Sequence, residues 1–289
     1  MRRVRPWLLG IAGILLLALL WEGYKAVMPV EGWVVNGVTI LPRTSPQAMP
    51  HIWDIVARAL EPETRAATAL PLWVAMLKAA ALTLGLAGAG WAIGVAVGLL
   101  LATLMQRFRT AESALLPWVI LSQTVPLIAL APILKRSLSQ VHIGAFTWQG
   151  WMSVALIAAY LAFFPVSVGA LRGFGSPEKA HLDLMRAYGM GWWRTFLKVR
   201  VPASVPHLLP ALRLAAANAV VGAVVAEVST GLDGGIGRMI ITSAQTGSAD
   251  PARMWTPIIG AVLIGLVAAG IVGIIGAALR RYRRREATA

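Results

Sequence analysis

Ser176-Pro-Glu-Lys-Ala-His-Leu-Asp-Leu-Met-Arg-Ala-Tyr-Gly-Met-Gly-Trp-Trp-Arg-Thr-Phe-Leu-Lys-Val-Arg-Val-Pro202 is a charged stretch set between two apolar runs, Trp151 to Leu171 and Val205 to Val228. It spells two short helices. Ser176 is a good N-cap, Pro177 suits the first helical position, and Glu178 favours the positive end of the helix dipole. Leu184, Met185 and Tyr188 fall at helical spacing, and Gly189 can take the left-handed conformation that ends such a helix. After Gly191, the residues Trp192, Trp193, Phe196, Leu197 and Val199 give an apolar, aromatic second helix with Arg194, Lys198 and Arg200 on its polar side. Pro202 is expected to stop it.

Outward from this stretch the chain is too apolar for a soluble domain: 58% of its 289 residues are hydrophobic and 13% are charged. Runs of about 20 apolar residues cross the hydrocarbon of a bilayer. Six are read: Trp7 to Val27, Leu72 to Met105, Leu115 to Leu134, Trp151 to Leu171, Val205 to Val228 and Met254 to Leu279. All are expected to be helices, because in lipid each backbone N–H and C=O must find its partner within the segment, and the alternation of a barrel strand is missing. As one straight helix the second run would be about 50 Å long, so it must tilt, bend or project. Gly85, Gly88, Gly90, Gly94 and Gly98 recur through it, and Gly88, Ala92 and Ala96 offer a small-residue stripe for close helix packing.

The formal net charge of +14 raises the question of nucleic acid, and the placement of the basic residues excludes it. They flank apolar runs, as expected beside anionic lipid. Arg2, Arg3, Arg5, Arg107, Arg109, the basic residues from Arg172 to Arg200, and the tail of Arg280, Arg281, Arg283, Arg284 and Arg285 define an inner side. They outnumber Arg43, Arg58, Arg65, Lys135, Arg136, Arg238 and Arg253 on the other side, so both termini are expected in the cytoplasm. The first run reads as a retained anchor, since Trp21-Glu-Gly-Tyr-Lys25 offers no small-residue cleavage pattern. The organisation expected is an anchor over 1–28, an outer loop over 29–70, and a core over 71–289 that carries the charged loop 173–202. Within the outer loop, His51 to Leu60 suits a short interfacial helix with Ile52, Trp53, Ile55 and Val56 on its apolar side. No internal repeat is found, which weighs against a secondary transporter built from inverted halves.

Asp183-Leu-Met185, then Gly189, then Val199-Arg-Val-Pro202 resembles the signature loop of the permease subunits of ATP-binding-cassette (ABC) importers, with Asp183 at the acidic position and with the glycine and proline at the family's spacing. The alanines of the family's triplet are replaced. Gln123-Thr-Val-Pro-Leu-Ile-Ala-Leu-Ala-Pro132 and Phe163-Phe-Pro165 are similar to the nitrate, sulfonate and taurine permease subfamily. So are Pro206, Leu212-Arg213, Ala226-Glu227 and the stretch Gly231 to Gly237. The resemblance covers roughly Leu72 to the end. It implies an all-α membrane protein with the six transmembrane helices of the type I importer fold, in the bacterial inner membrane. Its implied partners are a second permease copy, ATPase subunits that use ATP and Mg, and an extracytoplasmic solute-binding protein; the chain itself would bind no cofactor. The loop would be a coupling helix, with Asp183, Leu184, Met185, Ala187, Tyr188, Gly189, Trp192, Trp193 and Pro202 as the ATPase contact. The solutes implied are nitrate, sulfonates, taurine or bicarbonate, with thiamine-precursor pyrimidines or riboflavin-like heterocycles as alternatives.

Polar groups inside the apolar runs are costly and mark a cavity or a pair. Glu227 could face the outer mouth of a path, or could pair with nearby backbone or with Arg238. Asn218 could bond across helices or face a solute. Gln123 and Thr124 precede Pro126, where a freed carbonyl makes a polar path lining plausible. Arg213 is read as snorkelling and structural, and Lys78 as lying near the outer interface. Gly231-Leu-Asp-Gly-Gly-Ile-Gly237 lacks the preceding strand and following lysine of a phosphate loop and is expected to be a turn. The four histidines have no metal-ligand spacing, and with no cysteine in the chain no metal or catalytic constellation is expected. A secondary transporter or channel that needs no ATPase stays open as a rival, as does a membrane anchor for an enzyme complex.

Overall fold

The computed structural model describes residues 5–35, 38–64, 69–247 and 249–279. Arg2, Arg3, Arg65 and the arginines of the 280–285 tail lie outside the described residues, and so does the charge expectation they carried. In chain order the described residues form α1 (Arg5–Val27), a hairpin of β1 (Trp33–Val35) and β2 (Val38–Leu41), α2 (Ile52–Leu60), α3 (Leu72–Arg107), α4 (Arg109–Leu121) and α5 (Leu127–Leu138). A second hairpin of β3 (His142–Ile143) and β4 (Phe146–Thr147) leads to α6 (Gly150–Phe174), α7 (Lys179–Ala187), α8 (Trp192–Thr195), α9 (Val201–Thr230), α10 (Ile236–Gln245) and α11 (Trp255–Leu279). The chain is mostly helical, and the two hairpins, which an all-helical reading omits, fall between apolar runs, where water can satisfy strand edges.

Among the described residues, four continuous helices are long and apolar enough to cross a membrane: Leu72–Arg107, Gly150–Phe174, Trp192–Thr230 and Pro251–Ile274. The third expected run, Leu115 to Leu134, is not one helix. It breaks into α4 and α5, bent by 101°, with a 3-10 turn over Ser122–Thr124 between them. Pro126 has no N–H to give and drives the residue before it out of helical geometry; Val125 accordingly has ψ 124°. Pro202 also departs from expectation, because it does not stop a helix. It stands in the first turn of α9, where its missing N–H costs little, and the Phe196–Arg200 segment before it widens into a π-turn, with Val201 N–H donating to Phe196 O.

The chain falls into two compact units, one of Met1–Leu77 with Met239–Ile259 and one of Lys78–Arg238 with Gly260–Ala289. In the first, the C-terminal turn of α1 is tied to the loop that follows. Trp21 Nε1 donates to Pro50 O at 3.1 Å, Lys25 Nζ to Thr44 O at 3.3 Å, and the Glu22 carboxylate accepts the Ile52 N–H at 2.8 Å, an anion at the start of α2. Of the apolar face expected on α2 only Ile55 is buried, while Trp53 and Val56 are exposed. Arg58 Nε pairs with Asp250 Oδ2 at 2.5 Å, tying α2 to the turn before α11.

The second unit is built around α6, whose Val154, Ala158, Ala162, Val166 and Ala170 are wholly buried. Glycines set its approaches to its neighbours. A Cβ added to Gly90, Gly94 or Gly98 of α3 would fall 2.4, 2.7 or 2.8 Å from Ala158 Cβ, Ala162 Cβ or Val166 Cβ of α6. The expected stripe of Gly88, Ala92 and Ala96 is thus out of phase by two residues; Gly88 has nothing within 4 Å of such a Cβ. Between α6 and α9 the same device recurs at Gly169 against Ala211, Gly173 against Ser204 and Gly222 against Ala158. Van der Waals contact between close backbones is what holds helices together where lipid removes the hydrophobic drive.

Candidate functional site

The charged loop between α6 and α9 folds as an elbow of two short helices. α7 ends at Ala187 with Tyr188 as its C-cap, and Gly189 takes φ +66°, the left-handed conformation. Met190 N–H donates to Met185 O at 2.9 Å and Gly189 N–H to Arg186 O at 2.9 Å, the paired bonds that close a helix on glycine. Ser176 does not cap α7. Its hydroxyl donates to Gly173 O at 2.7 Å and to Ala203 O at 3.2 Å, so it ties the end of α6 to the start of α9, and Glu178 stands at the N-cap without a side-chain bond. The cause is the later start of α7, at Lys179.

The elbow has an anchored side and a free one. Trp192 stacks on Phe196 with ring centres 4.9 Å apart, Phe196 meets Phe174 edge-on at 4.8 Å, and Phe174, Phe196, Ala102 and Ala170 form one buried cluster. Arg107 lies over the Trp192 ring at 5.1 Å, and Arg200 Nη1 donates to Phe174 O at 2.6 Å. Leu184, Tyr188, Trp193 and Leu197 are exposed, Tyr188 to 72%. Asp183 and Arg186 pair at 3.0 Å on the exposed surface of α7. Ala187, Gly189 and Pro202 are exposed and Met185 is half-buried. Trp192 and Trp193, adjacent in sequence, thus differ in exposure: Trp192 seats the elbow on the helices, while Trp193 meets Trp192 edge-on at 4.7 Å and Phe196 at 6.1 Å and leaves most of its ring outward.

Three of the polar residues singled out within the apolar runs gather near one level of α6. Gln123 and Thr124 belong to the bend between α4 and α5, which the Tyr160 hydroxyl fastens by donating to Ser122 O. Asn218 Nδ2 donates to Leu161 O at 3.4 Å, one residue further along α6. Tyr160 was not singled out in the sequence; a phenol inside an apolar run was the available signal. Glu227 stands apart, nine residues beyond Asn218 on α9, and is wholly buried. Thr83 Oγ1 lies 2.8 and 3.0 Å from its two oxygens, and Gly237 N–H donates to Oε2 at 2.8 Å. Thr83 Oγ1 in turn accepts the Ile236 N–H at 2.9 Å. The carboxylate therefore latches the start of α10 to α3 and α9, while Arg238 pairs with Asp233 at 3.1 Å. Gly231 (φ +65°) and Gly234 (φ +90°) make the turn between α9 and α10, and a Cβ on Gly235 would fall 2.3 Å from the Glu227 carboxylate carbon. This is a glycine turn folded over an acid.

A family model described as binding-protein-dependent transport system inner membrane component matches residues 94–282. The formylaminopyrimidine transport permease protein ThiX of Halalkalibacterium halodurans is 34% identical over 145 residues, 50% of this chain and 54% of that one. The putative aliphatic sulfonates transport permease protein SsuC of Bacillus subtilis is 27% identical over 199 residues, 68% of this chain and 67% of that one. The riboflavin transport system permease protein RibX of Chloroflexus aurantiacus is 27% identical over 174 residues, covering 60% of each. The matches thus span about half to two thirds of the length of these relatives. A crystal structure of an amino acid ABC transporter with histidines aligns with a TM-score of 0.55 at 17% identity, over 72% of this chain and 94% of that one, a likeness of fold.

Proposed function

We propose that this chain, which belongs to the binding-protein-dependent transport system inner membrane components and is a multi-pass protein of the bacterial inner membrane, is the permease subunit of an ATP-driven importer. Two copies enclose a path for a small solute, and an extracytoplasmic binding protein delivers it. α1, α3, the bent α4–α5 pair, α6, α9 and α11 are the six spans, with both termini in the cytoplasm. The solute belongs to the classes carried by the relatives' names: a sulfonate-like anion, a thiamine-precursor pyrimidine or a riboflavin-like heterocycle. ATP and Mg act in separate ATPase subunits, not in this chain.

The elbow supports this reading best. Exposed apolar side chains on a short helix, held rigid from behind, suit a groove in a partner protein, which binds anchors at helical spacing. Leu184, Tyr188, Trp193 and Leu197 supply the anchors, and the Trp192, Phe196 and Phe174 rings supply the rigidity. Closure of the ATPase pair on nucleotide would then move the elbow and with it α9.

Three substitutions test it on purified permease with its cognate ATPase. Nothing lies within 4 Å of a Cβ at Gly189, so Gly189→Val acts only through its left-handed backbone, at a cost of about 1–2 kcal/mol. ATPase capture and ATP-driven uptake should fall about tenfold, while thermal stability falls by no more than that local backbone cost; unchanged uptake would remove the elbow from the mechanism. Trp193→Ala should likewise lose capture with a smaller loss of stability, since its ring only edges Trp192 and Phe196, whereas Trp192→Ala should lose about 2–3 kcal/mol of stability through its stacked ring. Equal thermal shifts for the two would show that the outward ring has no separate role.

A further inference from the structure

Within the second unit α3, α9 and α11 enclose a cleft of about 250 Å³ lined only by apolar residues, among them Gly88 and Trp91, Ala216 and Val220, and Ala268 and Val272. The one polar side-chain atom in this lining, Trp91 Nε1, is already engaged, donating to Leu212 O at 3.2 Å. That bond places Trp91 level with Leu212, at the end of the cleft nearer the elbow. Arg213 comes next. Its Nη2 donates to Gly273 O at 3.3 Å, and its Nε is buried with no hydrogen-bond partner among the described residues. No carboxylate pairs with it among them either. Gly273 and Gly276 make room for the guanidinium: a Cβ on Gly273 would stand 3.6 Å from Arg213 Nε, and one on Gly276 would meet Leu209 at 3.0 Å. The second contact shows that α11 runs antiparallel to α9. Arg213 is not itself in the lining; it stands beside the elbow end of the cleft, three residues before Ala216 on α9 and against Gly273, the neighbour of Val272, and the cleft runs from there along α9 toward Val220.

A cation without a counter-charge at the foot of an apolar slot is the complement of an anionic amphiphile. In a bilayer such a slot is filled by hydrocarbon, and about 150 Å³ of apolar cavity already accepts a benzene-sized guest. An unpaired arginine at membrane depth is expensive and takes an anion where one is within reach, binding phosphate through its planar fork. We propose that this cleft holds an acyl chain of an anionic phospholipid from the leaflet on the elbow side, with the lipid phosphate on the Arg213 guanidinium. The proposal needs the chain to span a membrane but is independent of what the elbow docks to.

The chain has no cysteine, so Ile271→Cys, at a half-exposed position on the cleft lining, gives a single thiol for a fluorophore. The labelled permease, without ATPase, is placed in nanodiscs of phosphatidylcholine with doxyl-chain phosphatidylglycerol or doxyl-chain phosphatidylcholine as quencher. Quenching should favour the phosphatidylglycerol by about five-fold in apparent affinity, the effect of one basic residue at an anionic lipid. Arg213→Gln should abolish that preference, Arg213→Lys should keep most of it, and Gly88→Leu, which fills the slot, should weaken quenching by both lipids. Excess inorganic phosphate should leave the preference unchanged. Equal quenching by the two lipids, a preference that survives Arg213→Gln, or one erased by inorganic phosphate would overturn the proposal. So would ready cross-linking of the Ile271→Cys thiol between two copies, which would mean that a second chain fills the slot. Loss of ATPase capture in the elbow variants would bear on none of these readings.

Discussion

Gly94→Leu is expected to leave no folded permease to recover from detergent, while Gly88→Leu, six residues earlier on the same helix, should yield normal amounts. At Gly94 even the first carbon of a side chain would stand 2.7 Å from Ala162 Cβ and 2.8 Å from Ala159 O. The second neighbour is backbone of the central helix and cannot turn aside, so α3 would have to leave α6 along its length. The cost exceeds the about 3 kcal/mol usual for an overpacked core, because the seam between α3 and α6 is the axis of the unit. Fluorescence-detected size exclusion of the two variants, made side by side, is the measurement. Similar yields would mean that the close approach of α3 to α6 contributes little to stability.

Glu227→Ala is expected to cost about 2–4 kcal/mol, the sum of stranding the Thr83 hydroxyl and the Gly237 N–H in a dry interior and of opening a hole beside Gly235. Glu227→Gln keeps the volume and one acceptor, so it should lose about half as much. The damage should be local. Hydrogen exchange or limited proteolysis should show the turn from Gly231 to Gly237 opening long before α6 does. A variant with unchanged protection of that turn would show that the glycines hold their shape without the acid.

The helical runs are legible because lipid leaves the backbone no other partner, and Gly189 is legible because a side chain would strain the left-handed turn between two helices. The bend at Pro126 is not. Pro117, Pro132, Pro206 and Pro210 all sit inside helices, so proline alone does not say where the chain turns. At the bend the hydroxyls of Ser122 and Thr124 donate to Val119 O at 2.7 Å and Leu121 O at 2.8 Å, competing with the helical ladder just where Pro126 withholds its own donor. The small-residue stripe could be read in kind but not in phase, because α3 carries glycine or alanine on more than one side and only α6 decides which side is used. Glu227 illustrates the same limit. Its partner Thr83 lies 144 residues away, and only the packing of α3 against α9 joins the two.

From Trp192 to Thr230 the chain is one helix of 39 residues, widened by a π-turn but not interrupted. At about 1.5 Å per residue that is a shaft of about 58 Å. Its near end carries the stacked indole and its far end the buried acid, so a tilt of about 10° imposed at the indole swings the acid's end by about 10 Å unless the shaft flexes. A loose joint at Pro202 would have absorbed such a movement at the membrane surface. Its absence gives the two ends of this rod a shared mechanical fate.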